Sequence, residues 1–165
     1  MEDVQSVPEL IAAAQISAKA LAEPLSDSAD QERSDAQRAA VRAIELAAID
    51  IFSVFEARMQ HHFRRGPFAR KLKALLLECK RDDLAKRFHR YYLAINVLKH
   101  GKGSSHRELL KAPAEFRVLT SNDGPVDDET QRPAALVDVT VPGFFDALCD
   151  TLLEAHQFLE KRSGT

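Results

Sequence analysis

The sequence is poor in the residues that mark several structural classes. Its 165 residues include only six glycines, seven prolines and two cysteines, which excludes collagen-like and low-complexity structures. Cys79 and Cys149 are isolated, without the CxxC or Cys/His spacing of a metal site. Because each lies in an apolar helical pattern, we expect both to be reduced core residues.

A strong charge of one sign and long apolar runs are also missing. The formal net charge is -2 at pH 7, so overall charge gives no argument for nucleic-acid binding, although a local basic patch is compatible with it. No stretch approaches the ~20 apolar residues of a membrane span, and the first residues lack the basic segment of a signal peptide. We therefore expect a cytoplasmic protein with no membrane partner.

What the sequence does contain is a globular composition with helical periodicity. Apolar residues make up 45% and charged residues 29%, and a chain of this length favours one domain with a substantial core. Apolar residues recur at three- and four-residue spacing in five segments. These segments are 8–23, 30–62, 67–80, 83–99 and 142–161. A short sixth helix is predicted after Gly103 by the capping box of Ser105 and Glu108.

The predicted fold class is therefore mainly α, a bundle of about five to six helices with a small β-hairpin before the C-terminal helix. The hairpin is expected at about 116–141, where two short β-branched segments flank a polar loop. We expect a single helical domain over 1–165, with flexible ends at 1–7 and 162–165.

The long segment 30–62 is apolar on more than one face. Ile44, Phe52 and Phe55 belong to its main stripe, whereas Leu46 and Ile49 widen the apolar coverage to other faces. Such a helix suits a surface shared with another copy, so we predict a homodimer.

The histidine pair at the end of this segment has two interpretations. Cations such as His61 and His62 in a last helical turn interact favourably with the helix dipole. Alternatively, they form a phosphate-contacting patch with nearby basic residues of 64–73. Adjacent residues on an α-helix point in different directions, so the pair predicts no metal site, and no cofactor is predicted.

The stretch 81–103 carries the most chemistry. On a helical wheel, four residues share one polar face opposite a wide apolar arc. These are His89, Tyr92, Asn96 and His100, and they are called the polar stripe below. Imidazole is a general acid or base near neutral pH. Cations beside it, for which Lys99, Lys102 and Arg107 are the candidates, could hold a phosphate or stabilise developing charge.

Two interpretations of the stripe stay open. Its residues are the parts of a metal-independent RNA-cleaving site, with His100 and Asn96 as the catalytic candidates. Equally, Asn96 and His100 can hydrogen-bond to each other and to the helix end, which would be a structural role. Gly101 is expected to end the helix in a left-handed conformation. The loop 101–105 lacks phosphate-loop spacing, although a small molecule could bind between it and the helix.

The segment from Asn96 to Gly101, NVLKHG, resembles the RNxxxHG motif of the HEPN superfamily. Asn96, His100 and Gly101 match the motif, and Ile95 stands at its arginine position. The resemblance implies a helical bundle that dimerises, since in the family the Arg and His together carry ribonuclease activity in a cleft between two protomers. Segments 94–110 and 137–148 are also similar to uncharacterised bacterial proteins.

Two functions follow as expectations. The first is a HEPN-like, non-catalytic module that dimerises or binds RNA or a nucleotide through the polar stripe, because Ile95 replaces the arginine. The alternative is a metal-independent endoribonuclease of toxin or defence type, with His100 as general acid or base. In that case Arg90, Lys99, Lys102 or Arg107 would have to replace the missing arginine.

Overall fold

The structure is a computed structural model and describes residues 5–26, 34–101, 103–111, 137–141 and 143–163. Within these residues the chain forms six α-helices, which confirms the mainly helical prediction. They are α1 (Val7–Leu21), α2 (Asp35–Met59), α3 (Phe68–Glu78), α4 (Asp82–His100), α5 (Ser104–Lys111) and α6 (Phe144–Ser163). Short 3-10 helices, Glu23–Ser26 and Gln60–His62, follow α1 and α2.

Capping boxes set the starts of the first two helices. The Ser6 hydroxyl accepts a hydrogen bond from the Glu9 N–H over 3.3 Å, and the Glu9 carboxylate accepts one from the Ser6 N–H over 3.1 Å. Ser34 and Gln37 make the same reciprocal pair at the start of α2. Each box satisfies N–H groups that a helix start leaves without intrahelical partners.

The core is centred on α4, which packs against α2, α3, α5 and α6. Buried phenylalanines from three helices meet there. Phe52 of α2 stacks on Phe88 of α4 with ring centroids 5.5 Å apart, and Phe55 meets Phe68 of α3 edge-on at 5.7 Å. Burying one such side chain contributes about 1.5–3 kcal/mol, so this cluster fixes the position of α4.

Helix α6 is tied to α4 by polar contacts as well. The Tyr91 hydroxyl donates to the Phe144 carbonyl over 2.8 Å. The Arg87 guanidinium donates to both carboxylate oxygens of Glu154, over 2.7 and 3.1 Å. Bidentate pairs of this kind fix geometry as well as adding energy, so α4 serves as a rigid support for its polar face.

The expected β-hairpin is not seen among the described residues. Residues 116–136 of it lie outside the described residues, and 137–141 form a bridge position at Val137 followed by a turn rather than a strand. The Asp138 carboxylate accepts a hydrogen bond from the Thr140 N–H over 2.9 Å and another from its hydroxyl. Such a local turn competes with strand pairing. Val137 and Val139 are both buried, which explains the alternation of apolar and polar residues that predicted a strand.

Helix α4 begins one residue before the predicted segment 83–99, and α5 differs from the prediction at its cap. Helix α4 follows Arg81 with no side-chain cap, and Asp82 and Asp83 lie in the first turn, where carboxylates interact favourably with the helix dipole. Helix α5 begins at Ser104, so Ser105 lies inside its first turn and is not the cap. The predicted capping box of Ser105 and Glu108 is therefore wrong.

The two cysteines lie in different parts of the bundle, since Cys79 directly follows α3 and Cys149 lies in α6. Cys149 is buried and Cys79 is half-buried, and both are free thiols. Burial raises the pKa of Cys149 to about 12, with Asp146 and Asp150 adding to the effect, so this thiol is a core group rather than a nucleophile. No helix in the described parts of the chain is long and apolar enough to cross a membrane.

Candidate functional site

The polar face of α4 meets α5 because Gly101 turns the chain sharply. Gly101 has φ 77° and ψ -144°, a positive φ that side chains rarely adopt. Its N–H donates to the Val97 carbonyl over 2.8 Å, which closes the last turn of α4. Helix α5 then begins three residues later and packs back on α4.

Contacts within the chain engage most of the polar stripe. His89 Nε2 is hydrogen-bonded to Glu108 Oε2 of α5, and the Tyr92 ring stacks on His89 with centroids 6.1 Å apart. Asn96 Nδ2 donates to the Ser105 hydroxyl over 3.3 Å. His89 and Asn96 therefore hold α5 in place, and His100 is the exposed end of the stripe.

A cavity of about 320 Å³ lies where α4 ends and α5 begins. It is lined by Asn96, His100, Gly101, Gly103, Ser104 and Ser105. The structure thus brings the two catalytic candidates, Asn96 and His100, together with two serines at a helix start. A Cβ atom placed on Gly103 would have no heavy atom within 4 Å, so this side of the cavity is open.

The binding candidates lie elsewhere. His89, Tyr92, Lys99 and Arg107 are not among the described residues that line the cavity, and Lys102 lies outside the described residues. Lys99 is exposed, and its charge acts on α2. Burial raises the pKa of Glu56, and the Lys99 ammonium group partly opposes that rise.

The cavity offers donors suited to an anion. The first turn of α5 carries N–H groups that have no intrahelical acceptor, and its macrodipole favours negative charge. Two hydroxyls, an amide and an imidazole surround this helix start. The described lining residues include no guanidinium, but they also include no carboxylate that would repel an anion. The donors can therefore bind an oxyanion. The one general acid–base candidate among these described residues is His100.

Glu45 of α2 is a buried charged residue that the sequence reasoning missed. It is 3% exposed, and Arg42 lies 3.5 Å away. Burial raises the pKa of Glu45 to about 7; Arg42 opposes the rise and Asp138 adds to it. The residue spacing indicates this burial, because Glu45 lies four residues after Val41 and three before Ala48, within the apolar stripe of the helix.

Histidines and a carboxylate from two helix ends form a second cluster. His61, His62 and Glu160 each offer a ligand atom, and these atoms lie within 4.8 Å of one another. Burial lowers the pKa of His62, as does the neighbouring His61 imidazole, and the Glu160 carboxylate opposes both effects. Residue spacing does not predict this cluster, because Glu160 lies almost a hundred residues after the histidine pair.

A cavity larger than that at the α4–α5 turn contains none of the predicted site residues. It measures about 630 Å³ and lies between α1, α6 and the turn at 139–141. Its walls are mainly apolar, with Ile44, Val139 and Phe145 among them. Polar side chains of Gln15, Lys19, Thr140 and Asp146 also line it, and the Gln15 amide donates to the Asp146 carboxylate over 2.9 Å.

Comparisons with protein-family models, with curated proteins and with solved structures gave no match. The geometry of the cavity at the α4–α5 turn and of the histidine cluster therefore carries the functional interpretation.

Proposed function

We propose that this chain is a non-catalytic, HEPN-like helical module that binds a phosphate-bearing ligand, RNA or a nucleotide, in the cavity at the α4–α5 turn. The observation that carries this proposal is the convergence of Asn96, His100, Ser104 and Ser105 on one cavity of about 320 Å³. A volume of this size falls at the lower end of ligand pockets and accommodates a phosphate with part of its sugar.

Phosphate is the chemistry that these groups recognise best. The N-terminus of a helix binds anions through its free N–H groups and its dipole, and the hydroxyls of Ser104 and Ser105 add donors. Gly103, where an added Cβ atom would have no heavy atom within 4 Å, keeps the backbone accessible to a ligand. The exposed His100 adds a donor that strengthens binding when its ring is protonated.

The residue at position 95 is the reason for proposing a non-catalytic protein. Ile95 stands where the HEPN motif has arginine, and its side chain is 1% exposed in the core. In the family that arginine acts together with the histidine. No arginine is found among the described residues lining this cavity, which supports binding over cleavage.

The proposal includes a homodimer formed through the outer face of α2. Leu46 on this face is 49% exposed. A shallow groove of about 400 Å³ runs beside it, lined by Ala43, Leu46, Ala47, Ile49, Asp50 and Ser53. Contiguous apolar patches rimmed by polar residues mark protein–protein interfaces, and here the apolar lining residues are bordered by Asp50 and Ser53.

A binding and cleavage assay with single-stranded RNA tests the proposal. The untagged full chain is titrated into end-labelled RNA in EDTA, and binding is followed by fluorescence anisotropy. We expect binding without cleavage, and about tenfold weaker binding for His100→Gln, as for loss of a charge-assisted hydrogen bond. His61→Gln is the matched control, because His61 is exposed, lies outside the cavity and contacts Arg58 and His62 rather than α4 or α5. It should bind as the wild type does.

Metal-independent cleavage would overturn the non-catalytic part of the proposal. If the wild-type chain cuts RNA in EDTA and His100→Gln does not, the chain is the endoribonuclease of the alternative interpretation. If neither RNA nor a nucleotide binds, or if His61→Gln and His100→Gln weaken binding equally, the cavity is not the site.

A further inference from the structure

The geometry points to a second site: we propose that His61, His62, His156 and Glu160 bind one divalent transition-metal ion of the zinc class. The ion would join the end of α2 to the C-terminal half of α6. This site is separate from the phosphate cavity, and neither proposal depends on the other.

Three potential ligands, His61, His62 and Glu160, converge between the two helices, and His156 lies beside Glu160. Ligand atoms of His61, His62 and Glu160 lie within 4.8 Å of one another. Glu160 Oε1 is 3.6 Å from His62 Nε2 and 3.8 Å from His156 Nε2. Ligand atoms about 2.0–2.1 Å from a tetrahedral zinc ion are about 3.3 Å from each other, so small side-chain rotations would close the set around an ion.

The histidine pair can act together because it does not lie on an α-helix. Adjacent α-helical residues diverge, but His61 and His62 lie in the 3-10 helix Gln60–His62 that follows α2. Their ring centroids are only 4.2 Å apart, and the rings are inclined by 36°. The short turn thus brings together two imidazoles that an uninterrupted α-helix would separate.

The contacts around His61 suit metal ligation. The Arg58 carbonyl lies 2.9 Å from His61 Nδ1, and a carbonyl only accepts, so Nδ1 carries the proton. In the neutral ring this leaves the lone pair on Nε2 for a metal. A ligating histidine almost always donates its other N–H to a carbonyl or carboxylate in this way.

Helix α6 supplies the other two ligands at suitable spacing. His156 and Glu160 are four residues apart, so they share one face of the helix. The His156 atom that faces Glu160 is Nε2, so Nε2 would be its ligand atom.

The donor set selects the class of ion. Three imidazoles and one carboxylate suit zinc, copper, nickel or iron, whereas magnesium and calcium prefer oxygen ligands. Four protein ligands leave no position for substrate in a tetrahedral zinc site, which is the arrangement of structural zinc. The expected role is therefore to stabilise the contact between α2 and α6.

The test is a zinc titration of the untagged full chain after removal of metals with a chelator. Isothermal titration calorimetry should give one Zn²⁺ per chain. At zinc concentrations near 100 times Kd, the Tm should rise by about 5–10 °C. Co²⁺ should bind to the same site with the strong visible absorption of tetrahedral coordination.

Variants locate the ion. Glu160→Gln and His61→Gln alter exposed side chains and should fold, which their Tm in EDTA verifies. We expect each to weaken zinc binding by at least about tenfold, and His156→Gln to change the Co²⁺ spectrum. His100→Gln is the control outside the cluster and should bind zinc normally.

Two results would overturn the site. One is the absence of zinc binding to the wild-type chain at millimolar concentration. The other is zinc binding that Glu160→Gln and His61→Gln leave unchanged, which would assign the ion to other residues.

Discussion

Asn96 Nδ2 donates a hydrogen bond to the Ser105 hydroxyl over 3.3 Å, and this contact joins α4 to α5 beside the cavity that both residues line. One pair therefore holds the short helix in place and also shapes the proposed phosphate site. Helix α5 has only eight residues, and an isolated helix of that length is unstable in water. The site consequently depends on contacts between α4 and α5.

The energetic coupling of this pair can be measured with a double-mutant cycle. Asn96→Ala and Ser105→Ala should each lower the free energy of unfolding, and their coupling should be about 0.5–1.5 kcal/mol, as for a neutral hydrogen bond. Urea denaturation of the two single variants and the double variant gives the coupling. Strictly additive effects would show that the bond contributes nothing.

The phenylalanine cluster should dominate the stability of the bundle. Phe88 is fully buried between Phe52 and Phe68, so Phe88→Ala should lower the free energy of unfolding by about 3–5 kcal/mol. Leu77→Ala is the control, since Leu77 is 46% exposed and such surface changes stay within about 0.5 kcal/mol. Similar losses for both variants in urea would contradict this core.

The helices could be predicted from the sequence because each buries an apolar stripe. The role of the polar stripe could not, because periodicity shows which residues share a face but not which element covers that face. His89 and Asn96 belong to the stripe as predicted, yet Glu108 and Ser105 of α5 contact them. Of the four stripe residues, His100 and Asn96 are the two that line the described cavity at the α4–α5 turn.

Local backbone geometry explains two other differences. In the segment 137–141 the alternation of valines predicted a strand, but the bond from Thr140 to the Asp138 carboxylate makes a turn. An α-helix that continued through His61 and His62 would hold their rings apart, whereas the observed 3-10 helix brings the two rings together. In both cases a few hydrogen bonds override the residue pattern.

Stability should depend on pH through Glu45. Burial raises the pKa of its carboxyl from 4.5 to about 7, so the folded state binds this proton more tightly than the unfolded state does. The contribution of Glu45 to the free energy of unfolding is therefore fully present below about pH 4.5. It is lost as the pH rises to about 7.

The variant Glu45→Gln separates this effect from other titrations. Relative to the wild type, it should gain up to about 3 kcal/mol in the free energy of unfolding between pH 4.5 and pH 8, since one pKa unit corresponds to about 1.4 kcal/mol. Urea denaturation at several pH values measures the difference. Parallel curves for the two proteins would show that Glu45 is ionised in the fold at neutral pH.

The proposed dimer should depend on the outer face of α2. Leu46→Lys puts a charge on an exposed apolar position, so it should dissociate the dimer without unfolding the chain. Sedimentation velocity at micromolar concentration should show a dimer for the wild type and a monomer for the variant. Leu110→Lys is the matched control at an exposed leucine of α5 and should remain dimeric. A monomeric wild type would refute the dimer.

Phosphate binding at the start of α5 is tested most directly by adding a negative charge there. Ser104 is exposed in the first turn, where an aspartate favours the helix but repels a phosphate. Fluorescence anisotropy with labelled single-stranded RNA should show that Ser104→Asp weakens binding by about tenfold or more, a difference of about 1.4 kcal/mol. Ser17→Asp, at an exposed position of α1, makes the same change in net charge and should leave binding unchanged. Equal weakening by Ser104→Asp and Ser17→Asp, or none by either, would contradict a phosphate site at the α4–α5 turn.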